Sequence, residues 1–125
     1  MSEISVLIVD DVSNMRSLLA SSLRSLDITN ILEASSSLDA IEIYQNKKSD
    51  IIFLDLQMPK VDGFEALKQI REINNNAFIV IVSGENSIIN VKKAIQLGAN
   101  GFIVKPYKLG KIQEMIEKLN AHQKK

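Results

Sequence analysis

Short runs of β-branched and aliphatic residues alternate with longer stretches of helical period along this chain, and the alternation repeats five times. Ile4–Val9, Asn30–Ala34, Ile51–Leu54, Phe78–Val82 and Gly101–Val104 have the length and composition of strands. Ser13 stands where it can cap a first helix that carries Met15, Leu18, Leu19, Leu23 and Leu26 on one face. A second helix follows Ser-rich capping positions and carries Leu38, Ile41 and Tyr44, and a third begins after Gly63 with Phe64, Leu67 and Ile70. The fourth runs from about Ser87 to Leu97 and stops at Gly98, a residue suited to a C-cap. The fifth has an apolar stripe of Leu109, Ile112, Met115, Ile116 and Leu119.

The order is therefore (βα)₅. Strands joined by crossover helices run parallel, and a parallel sheet needs helices on both faces. The expected architecture is a doubly wound, three-layer α/β sandwich with strand order 2-1-3-4-5. Five repeats are too few to close an eight-stranded barrel. In open sheets of this kind function sits beyond the carboxyl ends of the strands, at a topological switch point.

The residues at those ends are Asp10 and Asp11 after the first strand, Asp55 at the third, Ser83 and Gly84 after the fourth, and Lys105-Pro106 after the fifth. The first and third strands are neighbours in this order, so three carboxylates crowd into one crevice. Like charges at such range demand a counter-ion, and a hard divalent cation with oxygen ligands, Mg²⁺ above all, answers that demand while leaving room for a phosphate oxygen. Lys105 and the Ser83 hydroxyl, arriving from the other side, can bind the remaining phosphoryl oxygens. Each residue alone has a plainer use: Asp-Asp can cap a helix, an Asp can end a strand as a turn former, Ser can sit in a turn, and Lys before Pro can be solvated surface. The signal lies in their convergence on one rim.

Composition narrows the class without changing that picture. At 125 residues the chain has the size of one domain, residues 1–125, and 46% hydrophobic with 24% charged residues is the balance of a globular protein. Cysteine is absent, which excludes a disulfide framework, a thiolate metal site and a cysteine nucleophile. No apolar run approaches the roughly 18 residues of a membrane span, and the start is acidic where a signal peptide would be basic. Membrane insertion and export are thus not expected, and a reducing cytoplasm is compatible. The 15 basic and 15 acidic residues balance overall, yet from Ile89 onward eight lysines face two glutamates.

Four segments now stand out together: LIVDD (Leu7 to Asp11), DLQMPKVDG (Asp55 to Gly63), VSG (Val82 to Gly84) and VKP (Val104 to Pro106). On these the chain closely resembles the response-regulator receiver domains, whose single-domain members include the bacterial chemotaxis regulator, and the resemblance covers essentially its whole length. It implies a flavodoxin-like fold and a phosphoryl switch of a two-component system or phosphorelay, a phosphoacceptor that catalyses only its own phosphorylation and dephosphorylation. By the same resemblance Asp55 is the phosphoacceptor, and Asp10 and Asp11 bind Mg²⁺ together with Asp55 and the Gln57 backbone carbonyl. Ser83 would hydrogen-bond the phosphoryl group, Lys105 would pair with it, and the Lys105-Pro106 bond would be cis.

The implied donor is a sensor histidine kinase or a histidine phosphotransfer protein. The implied output is a shape change of the face made by the fourth helix, fifth strand and fifth helix, read by a downstream protein. Ser83 and Phe102 would be the switch pair, although an aromatic in a strand is also ordinary core material. Lys92, Lys93, Lys108 and Lys111 on that face would suit an acidic partner, or form a solvated basic surface. Gln57 and Glu85 would tune the lifetime of the phosphoryl group. His122, the only histidine, falls in a polar C-terminal tail and is a poor phosphohistidine or metal ligand.

Competing readings share the fold and fail at particular residues. A flavin carrier must cradle phosphate in its first loop, where this chain has Asp10 and Asp11. A nicotinamide domain needs G-x-G-x-x-G, which does not occur. A haloacid-dehalogenase phosphatase needs a second Asp two positions after its nucleophile, where Gln57 stands, and a cap for which there is no length. No helix resembles a DNA-reading one, so direct nucleic-acid binding is not expected. A receiver that signals by contact alone, or one part of a longer regulator, stays open at this point.

Overall fold

A computed structural model describes residues 3–56, 63–84 and 88–123, with backbone alone at 88. Its elements are β1 (Ser5–Val9), α1 (Ser13–Arg24), β2 (Asn30–Ala34), α2 (Ser37–Asn46), β3 (Ile51–Asp55), α3 (Gly63–Ile73), β4 (Phe78–Ser83), α4 (Ile88–Gln96), β5 (Gly101–Val104) and α5 (Leu109–Gln123). All the strand pairs are parallel and the order is β2-β1-β3-β4-β5, the flavodoxin-like arrangement.

Because successive strand residues point to opposite faces, the central strands, apolar except at their ends, supply two cores at once. Val6, Ile8, Phe53 and Val80 pack against Leu19 and Leu23 of α1 and Ile112, Met115 and Leu119 of α5. Leu7, Val9, Ile52, Leu54 and Ile81 pack on the other side against Tyr44 of α2, Leu67 and Ile70 of α3 and Ala94 of α4. Each fully buried Leu or Ile contributes about 1.5–3 kcal/mol relative to an exposed one, so the three-layer sandwich is where the chain gains most.

Local expectations were met unevenly. Ser36 caps α2 by accepting from the Asp39 amide at 3.1 Å, and Gly98 ends α4 with φ of +107°. Ser13 caps nothing: Val12 is the N-cap residue of α1 and makes no side-chain cap bond. Leu18, Leu38 and Leu109, expected on buried helical faces, are 47%, 65% and 46% exposed. A helix lying on a sheet buries a narrow strip, and Leu18 is rotated by one residue from the strip of Leu19 and Leu23, while Leu38 and Leu109 sit in first turns at the rim. Phe102 is no core residue, being 44% exposed on the edge strand β5. His122 lies in the last turn of α5, not in a loose tail. Its Nε2 is 3.0 Å from the Asn76 carbonyl oxygen, and its ring packs 5.3 Å from that of Phe78.

One side chain ties the far edge together. Arg71, in the last turn of α3, donates to the carbonyls of Asn75, Ala77 and Gly98 and to Asn100 Oδ1, which also accepts from the Ile79 amide. Its guanidinium thus joins the end of α3, the start of β4 and the turn leading into β5. Burial lowers the Arg71 pKa.

Candidate functional site

Parallel register brings the ends of β1, β3, β4 and β5 to one rim. Asp55 pairs with Val82 across β3 and β4, and Ser83 pairs with Val104 across β4 and β5, so Ser83 and Lys105 stand one step further out than Asp55. The Lys105 amide donates to the Ser83 carbonyl at 2.8 Å, and the Leu56 amide to the Val82 carbonyl at 3.2 Å, which closes the rim. Asp10 is fastened to β2 through its amide, 3.1 Å from the Ala34 carbonyl, and its Oδ1 accepts from the Val12 amide at 2.9 Å. Asp10 therefore does serve the helix start, with one oxygen, and keeps the other.

That other oxygen, Oδ2, is buried and accepts no hydrogen bond among the described residues, although Lys105 Nζ lies 3.2 Å away as an ion pair. Lys105 Nζ also donates to Asp55 Oδ2 at 3.1 Å. Asp10 and Asp55 are 1% and 2% exposed, and with the exposed Asp11 they present carboxylate oxygens that all lie within 4.8 Å of one another. A single ammonium leaves such a trio with excess negative charge. An orphaned buried carboxylate oxygen beside two further carboxylates fits a hard divalent cation, and the donor set is all oxygen, as Mg²⁺ requires.

Burial alone would lower the Lys105 pKa, but the charge of Asp55, the hydrogen bond to it and the charge of Asp10 outweigh it and hold the pKa above the ordinary value. Lys105 is therefore a fixed cation at neutral pH. Tyr107, two residues on, has its phenol pushed well up by burial and by the fields of Asp10 and Asp55. It packs against the core cluster under α1 and α5.

The expected residues thus divide. Asp10, Asp11, Asp55 and Lys105 come together directly. Ser83 is buried at the adjoining strand end, with its hydroxyl donating to the Gly84 carbonyl at 3.1 Å. The Lys105-Pro106 peptide is cis. Phe102 lies on the outer surface of the sheet edge, beside a groove of about 370 Å³ whose lining includes Ile95, Val104, Lys108, Lys111 and Met115. Lys93 is occupied with the Phe64 ring, its Nζ 4.6 Å from the centroid. Gln57 and Glu85 lie outside the described residues.

Two nearby groups escaped sequence reasoning. Tyr107 follows the VKP segment directly and could have been noticed there. Arg16 donates from Nη1 to the Asp10 carbonyl at 2.8 Å and from Nε to Glu33 Oε1 at 2.9 Å. Nothing in the sequence marks it, because its partners are set by the pairing of β1 with β2.

Residues 6–117 match the family model described as the response regulator receiver domain. The chemotaxis protein CheY of Listeria monocytogenes is 37% identical over 113 residues, covering 90% of this chain and 95% of that protein. CheY of Bacillus subtilis is 36% identical over 113 residues, covering 90% and 94%. Among solved structures, a response regulator receiver domain protein from Clostridium thermocellum superposes with a TM-score of 0.90 at 25% identity over 97% of both chains. The receiver domain of NtrX from Brucella abortus gives 0.86 at 27% identity, covering 92% of this chain and 97% of that one. With its acidic pocket at the strand ends, its cis Lys-Pro step and a family match spanning nearly its full length, the chain belongs to the response regulator receiver domains, signalling phosphoacceptors rather than enzymes that turn over a substrate.

Proposed function

We propose that this receiver takes a phosphoryl group onto Asp55 from a phosphohistidine donor, a sensor histidine kinase or a histidine phosphotransfer protein, in a Mg²⁺-dependent step. The observation that carries the reading is Lys105 Nζ, which lies 3.1 Å from Asp55 Oδ2 and 3.2 Å from Asp10 Oδ2 at the mouth of the acidic trio. A carboxylate is already ionised at neutral pH and needs no general base. An Asp55 oxygen forms the new bond to phosphorus as the bond from phosphorus to the imidazole nitrogen breaks in line, and the electron pair returns to the imidazole. Asp10, Asp11, Asp55 and the Gln57 carbonyl would hold Mg²⁺, which when bound offsets charge on the phosphoryl oxygens. Lys105 supplies a further fixed positive charge, and the Ser83 hydroxyl, now on the Gly84 carbonyl, is free to rotate its donor toward a phosphoryl oxygen.

Phosphorylation places roughly one or more additional negative charges at this rim, and the response is read through Ser83 and Phe102 on the α4–β5–α5 face. Exposed Ile95, Phe102 and Val104 give that face an apolar strip edged by Lys108 and Lys111, suited to a protein target with acidic flanks. Gln57 and Glu85 tune the lifetime of the phosphoryl group. The protein works beside its donor in the cytoplasm; among the described residues no helix is long and apolar enough to cross a membrane.

Intact-mass spectrometry after incubation with acetyl phosphate tests the reading. A gain of one phosphoryl mass is expected with Mg²⁺, none without it, and none in Asp55→Asn. If neither acetyl phosphate nor a phosphohistidine protein labels the folded, Mg²⁺-binding wild type, the phosphoacceptor role of Asp55 is wrong and contact alone carries the signal.

A further inference from the structure

We propose that Arg16 is a positioning residue for the cation site: by gripping the Asp10 carbonyl it orients the Asp10-Asp11 peptide and so places the Asp11 carboxylate. The inference rests on the reading of Asp10, Asp11 and Asp55 as a divalent-cation site.

Asp11 is the weakly anchored member of the trio. Asp10 is held by its own amide, by Oδ1 on the Val12 amide and by Oδ2 beside Lys105. Asp55 is held by β3 and by Lys105. The Asp11 side chain is exposed, and no hydrogen bond or ion pair reaches it among the described residues. Its carboxylate nevertheless lies within 4.8 Å of the other two. Its position follows from the plane of the peptide before it, and that plane carries the carbonyl oxygen that Arg16 Nη1 holds at 2.8 Å.

Glu33 makes the grip directional. Its Oε1 takes Arg16 Nε at 2.9 Å from β2, so the planar fork is turned with Nη1 toward the Asp10 carbonyl. The pairing has a second consequence. An unpaired guanidinium beside three carboxylates would compete with the cation for them, whereas one committed to Glu33 and to a carbonyl does not. Arg16 is 17% exposed at its side chain, and its bond to the Asp10 carbonyl is partly sheltered from water, whereas the bond to Glu33 is exposed.

Coulomb's law and positioning predict opposite signs, and this makes the test sharp. Were Arg16 only a nearby positive charge, its removal would tighten cation binding. As a positioning residue its removal must loosen binding, by about tenfold if it acts as strongly as groups that orient metal ligands usually do. The measurement is the Mn²⁺ dissociation constant of the unphosphorylated protein by electron paramagnetic resonance, with Mg²⁺ as competitor, for wild type, Arg16→Gln, Arg16→Lys and Glu33→Gln.

Arg16→Gln is expected to bind Mn²⁺ about tenfold more weakly, with Arg16→Lys recovering part of the loss through a single donor. Glu33→Gln is expected to weaken binding by a smaller factor, because the fork loses its aim. Glu33 is exposed on an edge strand, so this variant tests the idea even if replacement of Arg16 prevents folding, when it is read in high salt, where the loss of an exposed charge alone is screened and only lost positioning still weakens binding. Binding by folded Arg16→Gln that is equal to or tighter than wild type overturns the inference. If that variant does not fold, unchanged binding by Glu33→Gln overturns it. Failure of the wild type itself to bind Mn²⁺ or Mg²⁺ overturns the cation-site reading and this inference with it.

Discussion

Replacing Gly63 by alanine tests whether the end of β3 is held where the chemistry needs it. A Cβ built at Gly63 would lie 2.6 Å from the Asp55 carbonyl oxygen and 2.7 Å from Leu56 Cα, while ordinary contacts begin near 3.4 Å. Something must therefore move by roughly 0.8 Å, and both obstacles are backbone. The start of α3 cannot simply retreat, because Ala66, Leu67 and Ile70 are fully buried against the sheet. Overpacking of this kind costs about 1–3 kcal/mol. The strand end that yields carries Asp55, the proposed phosphoacceptor, and a misplacement approaching 1 Å at a reacting group costs up to about a hundredfold in rate.

Gly63→Ala should thus lose about 1–3 kcal/mol in urea unfolding and be labelled by acetyl phosphate at least tenfold more slowly, in line with the same arguments. Gly110→Ala is the control. Nothing lies within 4 Å of a Cβ there, and the residue sits in the first turn of α5, so alanine should be neutral or stabilising by up to about 1 kcal/mol. A Gly63→Ala protein within 0.5 kcal/mol of wild type and labelled at the same rate would refute the reasoning.

Asn100→Asp keeps the acceptor that serves the Ile79 amide and Arg71, and gives Arg71 a charged partner. It should raise the melting temperature by a few degrees, from a gain of about 0.5–1 kcal/mol that shrinks in high salt; a lower melting temperature would contradict the pairing. Tyr44 is fully buried with its hydroxyl accepting from Asn74 Nδ2 at 3.0 Å, and burial raises its pKa above 10.0 despite that bond. A raised folded-state pKa means the protonated phenol stabilises the fold below pH 10 and that this contribution is lost as pH rises beyond it. Tyr44→Phe should cost about 1 kcal/mol at neutral pH, and its unfolding free energy should fall less steeply than that of wild type above pH 10; parallel curves would count against the assignment.

Periodicity alone was enough for the strands, because a central parallel strand is buried on both faces and reads as an uninterrupted apolar run, whereas the order 2-1-3-4-5 is one of the common doubly wound arrangements and does not follow from periodicity. β5 runs from Gly101 to Val104 in both the pattern and the structure, and β1, β3 and β4 shift by one residue at most. The site was legible for a related reason: in this topology every strand ends at the same rim, so the residues after LIV, FL, IV and FIV had to meet. Asp10, Asp11, Asp55 and Lys105 could be placed without seeing them.

What only the tertiary structure decided is how each residue spends its polar atoms and its surface. Whether Leu18 or Leu19 faces the sheet depends on the rotation of α1 about its axis, which packing sets. Phe102 is exposed because β5 is the sheet edge and its outer side faces the groove beside α5, not a sixth element. Arg16 reaches Asp10 and Glu33, and Arg71 reaches Gly98 and Asn100, across separations that no local pattern encodes. Hydrophobic burial is periodic and can be read along a chain, whereas hydrogen bonding is directional and short-ranged, so its partners are known only once the strands and helices have been brought side by side.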